Sequence, residues 1–427
     1  MLTAEAIADT AGGGQVPAAA PAWPAATGAE FHAGRIEPGD AFFAFGGSSS
    51  HGLDYADAAL AAGAAFIVSD RPHPRGITVR EPRELLLKLG RTARSRLTGR
   101  VIGVTGSSGK TSSKELLAAL LDGRMSPGNL NTPLALSCTL LRSALTAPER
   151  DLILELGIDR TGEMQELLDL TQPDAGLLTH LGPGHLDGLG DLAGVTAEKR
   201  RLIDSVPLAF VSSQAAAHLG RLPAHVRVYG LNGSGDSAAQ LNADGTLTMN
   251  GTDWTPPLPG SAQAENLAGA LAFAFALGVD DATARARLNG MTPPAARLQF
   301  IRLADGRLLI DDSYNSNPAS ARAALEVLRS SPAPHAAVLG DMRELGSLAG
   351  ELHRELGRAT RGLAAVIAVG DWAEDVQAGN PEAVTARDTA GAARLLDRLP
   401  EHGTLLVKAS RSLAFEQLVE MLVGPCS

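Results

Sequence analysis

The chain has 427 residues, more than one hydrophobic core usually serves, and a formal net charge of −10 with ordinary apolar content; we expect a soluble protein of several domains. The acidic balance argues against nucleic acid as a partner, and any polyanionic substrate must be met by local cations, helix ends and metal ions. The longest apolar run, "LAGALAFAFALGV" (267–279), is too short to span a bilayer. No Lys or Arg precedes Arg35, which speaks against a secretory signal or transit peptide, and the two cysteines, Cys138 and Cys426, cannot build a disulfide framework. A reducing cytoplasm is the expected home.

The Ala/Gly/Pro-rich stretch 12–31 reads as loop. "DAFFAF" (40–45) and "AAFIVSD" (64–70) read as strands flanking an Ala-rich helix (54–62), a small α/β unit. "PRELLLKLGRTARSRL" (82–97) has helical periodicity and leads into the strand "VIGVTG" (101–106). From there short apolar strands alternate with helices: 151–157, 175–182, 207–213 and 225–230. That rhythm predicts a parallel sheet covered on both faces. A turn-rich segment, 231–256, reads as a hairpin insert, and a long helix (262–277) precedes the proline break "MTPPAAR" (291–297). The tail repeats the rhythm with strands at 308–313, 335–341, 363–371 and 404–410, and no fixed-period repeat is present. The fold class is α/β, with expected domains at 1–98, 99–295 and 296–427.

Chemistry concentrates after the strands. "VIGVTGSSGKTSSK" (101–114) is a glycine turn between a strand and a helix, which presents backbone N–H groups and a helix N-terminus to an anion. Lys110 is expected to reach the terminal phosphates and Thr111 to ligate Mg²⁺. The bland alternative is a glycine turn with a solvated lysine; strand, turn, Gly-Lys-Thr and helix in register favour phosphate. The loop alone leaves the reaction open, since the usual phosphate-loop spacing would place a glycine where Val104 stands.

Glu155 ends a strand, and His180 and His185 follow another in the glycine-rich "THLGPGHLDGLG" (179–190). In an open α/β sheet, ligands gather at that edge. A lone His or Glu is more often an exposed loop residue than a ligand; the shared edge raises the odds for Glu155 and His185. "DDSYNSNPAS" (311–320) packs carboxylates, a phenol and amides before a helix. Asn317-Pro318 alone could be a helix start, which leaves Asp312, Tyr314 and Asn315 unexplained. "GDMRELGSLAGELH" (340–353) and "KASR" (408–411) also follow strands.

Taken together and in order, these segments resemble the Mur ligase superfamily from about residue 36 to the C-terminus. The signals "GNLNTPLAL" (128–136), "DDSYNSNP" (311–318) and "GDMRELG" with downstream His353 are most similar to the branch that adds D-alanyl-D-alanine. T-G-S-x-G-K-T is that superfamily's own form of the phosphate loop, here Thr105, Gly106, Ser107, Ser108, Gly109, Lys110 and Thr111. The resemblance implies an N-terminal UDP-sugar unit, a central P-loop ATPase and a C-terminal Rossmann-like domain.

It also implies ATP and two Mg²⁺ ions. Lys110 would hold the ATP phosphates, and Thr111 and Glu155 the first ion. His185 and Lys199 would serve the second ion, Lys199 as a carbamate. Asn266, Arg297 and Asp312 fall at ATP-contacting positions. Asn131, Thr132, Tyr314, Asn315, Lys408 and Arg411 fall on the side of the other substrates. The implied activity is ATP-dependent amide formation, joining D-Ala-D-Ala to a UDP-N-acetylmuramoyl-tripeptide through an acyl phosphate. The implied setting is a monomer in the cytoplasm, with small-molecule partners only, in peptidoglycan precursor synthesis.

The chain departs from the pattern at "HAG" (32–34) for D-S-R, "HGL" (51–53) for D-G-H, "GSAQ" (260–263) for G-x-H-N and "KASR" for K-G-S-R. A remodelled uridine pocket that still accepts the nucleotide is expected. The alternatives are a folylpolyglutamate synthase-like ligase, a P-loop kinase or NTPase, and a non-catalytic nucleotide-binding module.

Overall fold

The computed structural model describes residues 2–17, 23–47, 50–292 and 295–424. Three sheets follow one another along the chain. The first is parallel in the order β1 (Gly28–Glu30), β2 (Asp40–Ala44), β3 (Phe66–Ser69), β4 (Gly76–Thr78). The stretch expected to be loop therefore contributes an edge strand, β1, and the unforeseen helix Ala4–Thr10 precedes it. Residues 18–22 of that stretch, and Cys426, lie outside the described residues.

The second sheet carries β5 (Val101–Thr105), β6 (Arg124–Met125), β7 (Leu152–Glu155), β8 (Ala175–Leu178), β9 (Ala209–Ser212) and β10 (Val226–Leu231). Three more strands extend it: β11 (Ser237–Leu241), β12 (Leu247–Met249) and β13 (Thr252–Trp254). Its order is β13-β12-β11-β10-β9-β8-β5-β7-β6. Strands β5, β7, β8 and β9 are buried along their whole length, which is why they read as unbroken apolar runs. The expected hairpin insert is the antiparallel pair β11–β12 continued by β13. The third sheet has β14 (Gln299–Arg302), β15 (Leu308–Asp312), β16 (His335–Gly340), β17 (Ala365–Val369), β18 (Val384–Ala386) and β19 (Thr404–Lys408), ordered β14-β15-β19-β16-β17-β18. Only β14 is antiparallel. Among the described residues no helix is long and apolar enough to cross a membrane.

The first two units share a core. The helix Pro82–Arg94 lies so close to the helix Pro133–Thr146 that a Cβ on Gly90 would sit 2.5 Å from Ser137 Oγ. One apolar cluster runs from Leu2 and Phe43 through Leu86 and Leu136 to Leu154. An ion pair seals the joint: Arg142, on the helix Pro133–Thr146, donates to both carboxylate oxygens of Asp40 at 2.9 and 2.7 Å. Asp40 is fully buried. Burial pushes its carboxyl pKa up, against the opposing pull of the Glu37 N–H and Arg142.

Removing one member of a buried pair strands the other in low dielectric, typically at a cost of about 3–5 kcal/mol. Arg142→Ala is therefore expected to lose about that much in urea unfolding, and Asp40→Asn combined with Arg142→Met much less. A loss below about 1 kcal/mol for Arg142→Ala would show that the joint holds without the pair.

Candidate active site

The loop after β5 is held on both sides. Thr105 Oγ1 donates to Leu156 O beyond β7 at 2.8 Å. Beyond β8, Ser107 N donates to His180 O (2.7 Å) and Thr179 Oγ1 to Ser108 O (2.5 Å). Gly106 approaches so closely that a Cβ there would lie 2.0 Å from Thr179 Oγ1. Gly109 has φ +81°, and a Cβ there would meet Asn266 Oδ1 at 2.5 Å. Only glycine satisfies both constraints without strain. The helix Lys110–Leu121 begins directly behind the loop, so its N-terminus faces the cavity.

That cavity, about 740 Å³, is walled by the central unit on one side and the C-terminal unit on the other. The loop residues Ser107–Thr111, Glu155, His185, Asn131 and Asn266 line the first side. Arg297, Asp312, Tyr314, Asn315 and Lys408 line the second. The two sides touch directly. Arg297 Nη2 donates to Thr111 Oγ1 at 3.0 Å, Thr111 Oγ1 donates to the buried Glu155 Oε2 at 2.7 Å, and Asn317 Nδ2 donates to Ser107 O at 3.2 Å. Asn317 also starts the helix Pro318–Arg329 through a reciprocal cap with Ser320, so its bland reading holds as well.

On the C-terminal side, Lys408 Nζ donates to Asp312 Oδ2 at 2.5 Å and to Asn315 O at 2.8 Å. Burial raises the Asp312 pKa, while Lys408 pulls the other way. The Arg297 guanidinium lies 4.1 Å from the Tyr314 ring centre, a stacked cation that keeps its planar face on the phenol. Burial pushes the Tyr314 hydroxyl pKa up.

His185 stands at the other end of the cavity in a left-handed conformation, φ +55°. Its Nδ1 is 2.8 Å from Asp159 Oδ1 and 2.5 Å from Glu344 Oε2. Burial alone would lower the imidazole pKa, but bonds to the two carboxylates outweigh it and the net shift is upward. Ligand atoms of Asp159, His185 and Glu344 all lie within 4.8 Å of one another, an arrangement able to hold a divalent cation. Glu344 comes from the C-terminal unit, and its backbone O accepts from Leu186 N at 2.8 Å. His353, singled out in the sequence, is buried and away from the cavity. Its Nδ1 donates to Ala349 O (2.7 Å) and its Nε2 accepts from Met342 N (2.9 Å), which anchors the turn carrying Glu344.

Lys199, on the helix Leu192–Ser205, is fully buried, and its Nζ has no hydrogen-bond partner among the described residues. Burial, with the nearby Lys110 charge, pushes its pKa well below the usual lysine value. An ammonium is a poor occupant of such a place. The half-buried Lys110 is shifted the same way, chiefly by desolvation, and its Nζ donates to Gly106 O at 2.8 Å.

Two expected substrate residues do not reach the wall. Thr132 caps the helix Pro133–Thr146, its Oγ1 accepting from Ala135 N at 3.4 Å, so the hydroxyl serves the helix start. Arg411 is exposed near Glu416 (3.5 Å), 5.9 Å from the Tyr314 ring centre. Conversely, Lys114, Asp159, Glu344 and Asn129 take places at the site that the sequence reading left unassigned. Asp159 sits four residues after Glu155 and Glu344 inside "GDMREL", so both motifs had been noticed but not these carboxylates.

Two family models match: Mur ligase middle domain over residues 104–274, and Mur ligase, glutamate ligase domain over 296–424. The UDP-N-acetylmuramoyl-tripeptide–D-alanyl-D-alanine ligase of Escherichia coli is 32% identical, over 91% of this chain and 92% of that protein. A crystal structure of MurF from Acinetobacter baumannii superposes with a TM-score of 0.81 at 27% identity, covering 99% of this chain and 98% of the other. The MurF ligase of Thermotoga maritima in complex with ADP gives 0.76 at 27% identity, covering 92% and 96%. The chain therefore belongs to the Mur ligase family, among its UDP-N-acetylmuramoyl-tripeptide–D-alanyl-D-alanine ligases.

Proposed function

We propose that this protein joins D-alanyl-D-alanine to the terminal carboxylate of a UDP-N-acetylmuramoyl-tripeptide at the expense of ATP, as a cytoplasmic monomer in peptidoglycan precursor synthesis. The observation that carries this reading is one cavity walled by a phosphate loop and by a second domain, in a chain alike end to end to ligases of that name. A kinase or switch NTPase needs the loop but has no use for the Arg297–Thr111 and Asn317–Ser107 joints.

A carboxylate is a poor electrophile, so its oxygen first takes the γ-phosphoryl group of ATP, giving an acyl phosphate and ADP. The dipeptide's amine then attacks the carbonyl carbon, the C–O bond to phosphate breaks, and phosphate leaves as the amide forms. In this reading Ser107–Thr111 cradle the phosphates, Thr105 and Gly106 hold the loop from behind, and Lys110 neutralises charge as it shifts during transfer. Asn266, Arg297 and Asp312 face the nucleotide, with Asp312 held by Lys408. Asn131, Tyr314 and Asn315 face the other substrates. Closure of the C-terminal unit over the cavity keeps water from the acyl phosphate.

Mg²⁺ would supply charge neutralisation for the phosphates, held by Thr111 and Glu155 at one position and by His185 and Lys199 at the other. The donor set fits a hard cation once Lys199 is modified. Its neutral amine adds CO₂ and sheds a proton, becoming a carbamate whose oxygens are the ligands such an ion prefers. The unpartnered, desolvated Nζ supports this reading.

The activity test measures phosphate release with the UDP-linked tripeptide and D-Ala-D-Ala, together and singly. Sustained release should require both, with the pentapeptide product seen by mass spectrometry; equal release without the dipeptide would overturn ligation.

Lys110→Ala should lower kcat by about 10²–10³, the usual effect of losing a transition-state electrostatic partner. Turnover near that of the unaltered protein would remove the loop lysine from the mechanism.

Lys199→Ala should be nearly inactive and partly restored by acetate or formate, while Lys199→Arg stays inactive because a guanidinium keeps its charge. Intact-mass spectra at raised bicarbonate should show a carbamate on the unaltered protein that both variants lack. Full activity in either variant would sink the carbamate.

A further inference from the structure

Lys114 lies one helical turn beyond Lys110 and is fully buried. A leucine or methionine would suit that helix position better, since burying a charge costs several kcal/mol unless geometry compensates it. Here two of the three ammonium protons have acceptors, and a carboxylate stands at ion-pair distance. Nζ donates to Ser126 O at 2.8 Å and to Gly128 O at 2.5 Å, and stands 3.9 Å from Glu155 Oε2. Ser126 is tied to the same carboxylate-bearing residue from the other direction, because Glu155 N donates to Ser126 Oγ at 3.2 Å.

The chain leaving this knot is the turn that reaches the cavity. Leu130 N closes it onto Pro127 O at 3.0 Å, and Asn129 and Asn131 line the wall. Asn131 presses on the strand end beyond Glu155, where a Cβ on Gly157 would be 2.2 Å from its Nδ2. Among the described residues, the turn's other hydrogen bonds to the central sheet are those of Ser126, at its first residue.

We propose that Lys114 is a positioning residue that locks the turn Ser126–Asn131 to Glu155, so that the amides reading the carboxylate-bearing sugar peptide and the carboxylate facing the phosphates keep one fixed spacing. The ammonium lies outside the cavity lining. It acts through the two carbonyls and through Glu155. The substrate half of this statement rests on the ligase reading above; the locking half does not.

The test uses Lys114→Met, which removes charge and donors, and Lys114→Gln, which keeps a neutral donor. Hydrogen exchange on the ligand-free protein reads the lock directly. In Lys114→Met, amides of 128–131 should exchange about ten- to a hundredfold faster, the scale of losing charge-assisted hydrogen bonds, with β5, β7 and β8 unchanged. Lys114→Gln should fall between. With substrates, KM for the UDP-linked tripeptide should rise about tenfold while ADP affinity measured without Mg²⁺ stays within about twofold.

A uniform rise in exchange across the central sheet, or unaltered exchange at 128–131, would overturn the lock. An unaltered KM alongside a loosened turn would overturn its role in reading the peptide. If Lys114→Met does not fold, the same readings on Lys114→Gln decide. Because exchange is measured without substrate, absence of ligation by the unaltered protein would count against the activity and leave the lock to its own result.

Discussion

Glu155 is the point on which the site depends, because it is the carboxylate around which three lysines converge in a desolvated space. Lys114 lies 3.9 Å away, Lys110 feels its field, and Lys199 is balanced in part by it. Burial pushes all three lysines below their ordinary pKa. Asp159 and Glu198 join Glu155 in opposing the shift of Lys199, yet desolvation outweighs the carboxylates, and each lysine meets the shortage differently. Lys114 spends its protons on backbone carbonyls, Lys110 turns back onto Gly106 O, and Lys199 has no partner. A protein of net charge −10 thus brings Lys110, Arg297 and Lys408 into a cavity wall that also carries Glu155, Asp159 and Glu344.

The same carboxylate is where two sheets meet. Glu155 accepts a hydrogen bond from the Thr111 hydroxyl, and Arg297 from the third unit donates to that hydroxyl oxygen. At the far end His185 stands between Asp159 of its own unit and Glu344 of the other. The cavity is thus clasped at both ends by polar contacts, with Leu258 of the central unit packed into the C-terminal apolar cluster beside them. Such polar contacts trade readily for water or ligand. The joint on the other side is built differently: helix on helix, a shared apolar cluster and the buried Asp40–Arg142 pair. We read that side as the fixed one. The helix Pro133–Thr146 packs there along its length while its N-terminus follows Asn131 at the cavity, which gives the N-terminal unit a rigid relation to the chemistry.

Sequence patterns reported the sheets well, since buried parallel strands must be apolar on both faces and the chain shows them as short unbroken runs. They failed at β1, only three residues long and preceded by Pro/Ala-rich sequence, where pairing with β2 rather than composition makes the strand. Within the site, Gly109, Lys110 and Thr111 were legible because loop and helix start are consecutive. Asp159 and Glu344 were not, because they meet only when two units are brought together. Lys114 looked like any helix lysine. Its burial follows from β6, a two-residue edge strand with no strong signal of its own. Lys199 was legible only through the family resemblance, its neighbours Glu198, Arg200 and Arg201 making the helix look solvated. Thr132 and Arg411 were named for lying inside motifs, and there the motif belongs to the backbone: one starts a helix, the other sits at a turn.

The N-terminal departures follow the same logic. His51, in "HGL", is buried; its Nδ1 accepts from Leu53 N at 3.1 Å and its Nε2 lies 2.9 Å from Asp70 Oδ1. In "HAG", the backbone N–H of His32 goes to Glu30 Oε1, which also takes Phe31 N and Arg35 Nη2. The Arg35 guanidinium lies 5.3 Å from the Phe31 ring centre, and that ring stacks on Phe45. The His51 ring and the His32 backbone are therefore engaged in holding their own turns, while the His32 imidazole is exposed. A planar group bound here would meet the half-buried aromatic pair and the Arg35 charge, with the exposed His32 imidazole nearby in sequence. Stacking with a cation beside it tolerates substitution around the ring, because every base offers a π face. Lys110, Thr111, Glu155 and His185, by contrast, line the cavity, where charge and reach fix the geometry more tightly than stacking does.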